Sequence, residues 1–253
     1  MTLLSICQNA ADEIGILRPT EVASSTDPNI RRLFRYANKV GDRLMRVFAW
    51  QDLRKEHSYT ATKSVIQTEA DWKPSDFDRF CPETFWDRSN NYNISGPISS
   101  TEWATLRSGT YEGTRKFAYR GGELLVFPIP QGAARFPFEY VSKNWAKDSG
   151  GTSKANFEAD SDTAVIDEDL ITYGVRYEFL EAEGLPSAHA AAQYEERFEL
   201  LIGNDQPNVA ILVAGDLFGV GRHFTGEPGQ SSEQISGDES APVLGNSNII
   251  LGA

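Results

Sequence analysis

Between Pro28 and Phe48 the apolar residues fall on one line. Ile30, Leu33, Ala37, Val40, Leu44 and Val47 follow one another at spacings of 3, 4, 3, 4 and 3. Only a helix brings such positions onto a single face. Asp27 stands where an N-cap belongs, and Pro28 occupies the first helical position, where its missing N–H costs nothing. At ~1.5 Å per residue the predicted helix is roughly 30 Å long. The seam is too short for a coiled coil, so it has to be covered by other helices of a bundle.

Three further segments supply candidate partners. Leu3, Ile6, Ala10 and Ile14, with Cys7 beside them, predict a helix over 3–16, closed by Gly15 and Pro19. Asp167 can cap a helix in which Leu170, Tyr173, Gly174, Tyr177 and Leu180 share a face, ended by Gly184. Ala191, Tyr194, Phe198 and Leu201 mark another, ended by Gly203. The loop between these last two is short, which predicts an antiparallel helical hairpin.

From His57 to about Trp145 helical periodicity gives way to short β-like runs. Residues 115–120 and 123–127 flank Gly121 and Gly122, a hairpin signal. Residues 136–141 read as a strand whose Pro137 implies an edge or a strand start. Tyr59–Thr68 has room for one or two more. One short helix interrupts, with Ser99 and Glu102 at capping-box spacing ahead of Trp103 and Leu106. Residues 148–153 read as a loop or linker. The expected fold class is therefore α+β. A discontinuous helical bundle takes 1–54 and 155–205, and 55–154 form a β-rich insertion. The remainder, 206–253, is an extended C-terminal arm. Composition alone predicts a disordered tail over the Gly/Ser/Pro/Asn-rich residues 226–253 unless something holds it. Ile211, Leu212, Val213, Phe218, Phe224, Ile249, Ile250 and Leu251 are its apolar candidates for gripping a partner.

Motifs for chemistry are missing. His57, His189 and His223 form no metal-binding spacing, and the acids from Glu158 to Asp169 break the calcium-loop pattern at Ala164. Those acids are better placed to serve a helix N-terminus. Gly219 and Gly221 lack the third glycine and the strand–helix context of a dinucleotide loop. Cys7 and Cys81 read as two buried thiols. The expectation is a protein without enzymatic activity, metal or cofactor. No apolar run approaches a membrane span, and residues 1–16 carry Asp12 and Glu13 with no basic start, so neither a membrane partner nor a signal peptide is expected.

Charge narrows the partners. The chain has 24 Lys and Arg against 36 Asp and Glu, a net charge of -12. That sign opposes tight binding of nucleic acid. Yet Arg31, Arg32, Arg35, Lys39, Arg43 and Arg46 gather on the back of the 28–48 helix, opposite the seam. Three readings stay open for this stripe: a solvated face, a contact to an acidic protein surface, or a contact to DNA. The aromatics Trp72, Phe77, Phe80, Phe85, Trp86, Tyr92 and Trp103 favour a buried β-core; exposed, they would suit a carbohydrate- or other surface-recognition module.

Several runs together resemble one family of phage proteins. They are FDRFCPETFWDR at 77–88, GPIS at 96–99, EWATL at 102–106, YRGGELL at 119–125 and FEYVSKNW at 138–145. DSDT at 160–163, Asp167, Glu168, Leu170 and GVRY at 174–177 continue the pattern. Over about residues 1–205 the chain is similar to the tailed-phage head-to-tail adaptor (connector) family, which includes the podoviral tail tubular protein A. The resemblance implies a virion structural protein, made in the host cytoplasm and assembled as a dodecameric ring. Its partners would be further copies of itself, the portal protein above and a tail nozzle or tail tube protein below. Double-stranded DNA would pass through transiently. Arg31, Arg35, Lys39, Arg43, Arg46 and the apolar residues of the arm are the expected partner-binding set.

Overall fold

A computed structural model describes residues 1–205 apart from 110, 112 and 132. Helix α1 (Leu3–Ile14) opens the chain and α2 (Pro28–Val47) follows. Strands β1 (Arg54–Thr60) and β2 (Ile66–Gln67) and the one-turn α3 (Glu69–Trp72) lead into β3 (Phe77–Phe80), β4 (Trp86–Asp87) and β5 (Tyr92–Asn93). Helix α4 (Ser100–Ser108) precedes β6 (Lys116–Arg120), β7 (Glu123–Phe127) and β8 (Arg135–Ser142). The short β9 (Ala146–Lys147), β10 (Ser153–Lys154) and β11 (Thr163–Ala164) come before α5 (Glu168–Ala182) and α6 (Ala188–Asp205). The α+β class expected from the sequence is what the chain adopts.

The early and late helices share one bundle with α5 at its centre, packed against α1, α2 and α6. The seam of α2 is buried at Leu33, Ala37, Val40 and Leu44, and Asp27 caps the helix by accepting from the Asn29 and Ile30 amides. Val47 leaves the core while Gly41 and Met45 enter it. A seventh-residue repeat drifts by ~20° per heptad on a straight helix, so the buried face rotates away from Val47. Two glycines let the bundle close. A Cβ on Gly174 would lie 2.6 Å from Val40 Cγ1 and 3.1 Å from Tyr194, and one on Gly41 would lie 2.3 Å from the Trp145 indole.

Two three-stranded sheets, ordered β1-β8-β3 and β2-β7-β6, contribute to one aromatic core. Tyr59, Trp72, Phe77, Phe85, Phe117, Phe136 and Phe138 are buried there. The other face of the β6–β7 hairpin is covered by α4 through Trp103 and Leu106 against Ala118 and Leu125. Burial on both faces explains why β7 reads as a continuous apolar run instead of alternating. Gly121 and Gly122 both take positive φ, 61° and 83°, as a tight two-residue hairpin turn requires.

Pro137 corrects one expectation. It lies in β8, the central strand, not at an edge or a strand start. The chain tolerates it because β3 pairs only with the end of β8, from Tyr140 to Ser142. On the stretch beyond, the Glu139 amide donates to Thr84 Oγ1 and the Arg135 amide to Ser89 Oγ. Pro137 stands between these two, where no ladder asks for its N–H.

Candidate interaction surface

Helix α2 presents its basic residues to the side away from the seam, and each has a different fate. Lys39 Nζ lies 2.6 Å and Arg43 Nη2 2.5 Å from the carboxylate of Glu178 on α5. Glu178 is only 5% exposed, so its charge sits beside the bundle core and needs both cations. Arg32 pairs with Glu183 at the end of α5. Half of the stripe thus ties α2 to α5. Arg31, Arg35 and Arg46 are exposed, and among the described residues none of their side chains has an acidic partner. The open part of the stripe is those three arginines, with the half-exposed Lys39 between them.

Helix α6 is the acidic counterpart. Its buried side is narrow: Ala190, Tyr194 and Phe198, at every fourth residue. Burial pushes the Tyr194 phenol up to about 12, which keeps it neutral. The wide outer side carries Ala192, Glu196, Glu199 and Gly203, flanked by Leu200 with 52% of its surface exposed. Glu196 and Glu199 have no cationic partner among the described residues.

Of the acids from Glu158 to Asp169, three hold backbone, while Glu158, Glu168 and Asp169 pair with cations. Asp160 accepts from the Val22 and Ala23 amides. Asp162 Oδ2 accepts from the amides of Glu158 and Ala159, and its carbonyl accepts from Leu3 at the start of α1. Asp167 caps α5 and pairs with Arg197 of α6 at 2.7 Å. Cys7 and Cys81 are both free and buried, and burial raises both thiols, Cys7 to about 12.

In the β region, Trp72, Phe77, Phe85 and Trp103 are buried, while Phe80, Trp86 and Tyr92 are half-buried. Trp103 is 7% exposed and the Arg120 guanidinium lies 5.5 Å over its ring, so that ring has no open face for a sugar. Trp86 borders a shallow cleft with Glu83 and Arg88, and the Arg88 guanidinium lies 5.7 Å from its ring centre. Beneath them Asp87, fully buried, pairs with Arg115 and also accepts from the Ser89 and Asn90 amides.

Sequence reasoning found the basic stripe but missed Glu178 and Glu183, which claim half of it from far along the chain. It also missed Arg79, whose Nη2 donates to the carbonyls of Met45 and Phe48 at the end of α2. No local pattern marks that arginine as a helix cap. The arm candidates Ile211, Leu212, Val213, Phe218, Phe224, Ile249, Ile250 and Leu251 lie outside the described residues.

No curated protein matches the chain. The model of the SU10 adaptor protein family matches residues 1–211, which span all the described helices and strands. The chain belongs to the SU10 adaptor protein family.

Proposed function

We propose that this protein is a structural adaptor of a tailed-phage virion, a ring subunit seated between the portal and the tail. The family match over residues 1–211 carries the reading. The structure supports it with an exposed basic face on α2 and an exposed acidic face on α6, two different surfaces of the kind that head-to-tail contacts in a closed ring require. The likeness to podoviral tail tubular protein A points to twelve copies, a portal on one side and a tail nozzle or tube on the other. No catalytic step enters this role. A net charge of -12 suits a channel that DNA must traverse without being gripped. In this reading the helices at 1–54 and 155–205 form the bundle that meets the portal. The β-rich insertion at 55–154 faces the tail, and the arm from 206 ties neighbours or portal together.

Mixing the chain with portal rings and imaging the particles tests the reading. A ring of this protein beneath the portal is the expected result. A chain that stays monomeric alone and with portal would overturn it. Deletion after Pro207 should weaken portal binding while the circular dichroism of the remainder is unchanged; undiminished binding removes the arm from the interface.

A further inference from the structure

We infer that the free arginines of α2 in one copy dock against the acidic outer face of α6 in a second copy. The inference rests on the ring reading and adds to it the identity of the two surfaces. Its carrying observation is two sets of unmet charges, opposite in sign, on two different helices. Arg31 and Arg35 lie one helical turn apart on α2, exposed and without acidic partners among the described residues. Glu196 and Glu199 lie three residues apart on α6, equally exposed and equally unmet.

Within one chain these two sets do not pair. The ion pairs α2 does make run to Glu178 and Glu183, and Arg197, the cation of α6, turns to Asp167. The charges that hold the bundle are therefore separate from the charges left over. The leftover acids sit beside small residues, Ala192 and Gly203, and beside the exposed Leu200. Small side chains let a second helix approach closely, and Leu200 supplies apolar area next to the charges. Arginine suits the facing role because its planar fork holds a carboxylate with two parallel hydrogen bonds. In the ring reading the contact is heterologous, every copy using α2 on one side and α6 on the other; a two-fold dimer pairing both faces at once is the closed alternative, and it would stop at two copies in the mass measurement. Heterologous contacts propagate, and they close into a ring when the rotation per copy divides a full turn.

Charge exchange tests this directly. The full-length chain is made as Arg31→Glu/Arg35→Glu, as Glu196→Arg/Glu199→Arg, and as the four-fold combination. Each is confirmed folded by circular dichroism, and its mass is then read by light scattering and particle imaging, alone and with portal rings. Each two-site variant, by itself, should lose assembly by at least ten-fold in the protein concentration required. The combination should regain it. A one-to-one mixture of the two-site variants should also assemble, with the two kinds of copy alternating, because each face then meets its opposite charge in its neighbour. Assembly of both two-site variants at wild-type concentrations would overturn the assignment of these surfaces and leave the ring reading intact. Loss without recovery in either the combination or the mixture would also overturn the pairing. A wild-type chain that never assembles, even on portal, would overturn the ring reading itself.

Discussion

Gly41 has space for a hydrogen atom and nothing larger. The Trp145 indole, itself fully buried, lies across it, and Trp145 Nε1 donates to Asp42 Oδ1 at 3.1 Å. An alanine at 41 has to push that ring out of its place, and overpacking of this kind costs about 1–3 kcal/mol. Gly41→Ala should therefore lower the denaturation midpoint; an unchanged midpoint would show that the indole can retreat freely. Asp87 is a stricter case. Arg115 is 7% exposed, and among the described residues its other hydrogen bonds go to neutral oxygens, Tyr92 Oη and the Pro128 carbonyl. Asp87→Ala leaves a buried guanidinium unpaired, which costs about 3–5 kcal/mol. Urea titration would read that loss, and a loss below about 1 kcal/mol would mean that water reaches the arginine.

Asp76 adds a dependence on pH. Burial pushes its carboxyl up, but hydrogen bonds from Lys55, Ser142 and Tyr140 outweigh that, and the group sits below its ordinary 3.8. A carboxyl depressed by folding stabilises the native state at pH values above its unfolded value. That stability is lost as pH falls through the lower, folded value. Wild type should thus exceed Asp76→Asn in urea midpoint at pH 7, and the gap should close in acid. A gap that is constant down to the acid limit would assign the effect to shape rather than charge.

At the scale of elements, legibility followed how many sides of an element are covered. Helix α2 was readable because it has one buried face, a cap at Asp27 and a proline at its first position. The β6–β7 hairpin was readable because its two glycines name the turn. Helix α5 was not fully readable. Its expected face included Tyr173, Tyr177 and Leu180, which are only half-buried, and omitted Ile171, Val175, Glu178 and Phe179, which are buried. A helix packed against α1, α2 and α6 together loses the contrast between faces from which periodicity is read. The spacing of Ser99 and Glu102 was half informative: Ser99 Oγ accepts from the Glu102 amide, but the Glu102 carboxylate goes to Lys116 on β6. Helix α6 runs past Gly203 to Asp205, whose carboxylate accepts from the Gln51 amide. The acidic face of α6 carried no local signal, since acids on an outer helix face look the same whether or not they await a partner. Asp167 joins two elements at once, capping α5 and pairing with α6. Asp167→Ala should lower stability by about 0.5–2 kcal/mol for the cap alone. It should also loosen α6, seen as faster amide exchange there than in α2.

Over the whole molecule, the helical and β-rich parts are joined by side chains as well as by the chain itself. Trp145 follows β8 and packs on α2, and Arg79 leaves β3 to reach the same helix. Near-ultraviolet signals, dominated by the aromatic β-core, and far-ultraviolet signals, dominated by the helices, should therefore report one midpoint on heating. Separate midpoints would mean that the two parts fold independently.

The grip of Arg79 on the last turn of α2 has a mechanical side. One end of this 20-residue rod carries Arg31 and Arg35, and the other is clamped to a sheet. A push on the basic face is carried along the hydrogen-bonded backbone as along a strut. It meets the β-rich part at the Arg79 guanidinium of β3 and at the Trp145 indole, three residues past β8. Helix α2 is thus held to the β-rich part at two points, so Arg79→Ala should loosen its last turn while the Trp145 contact still holds its middle.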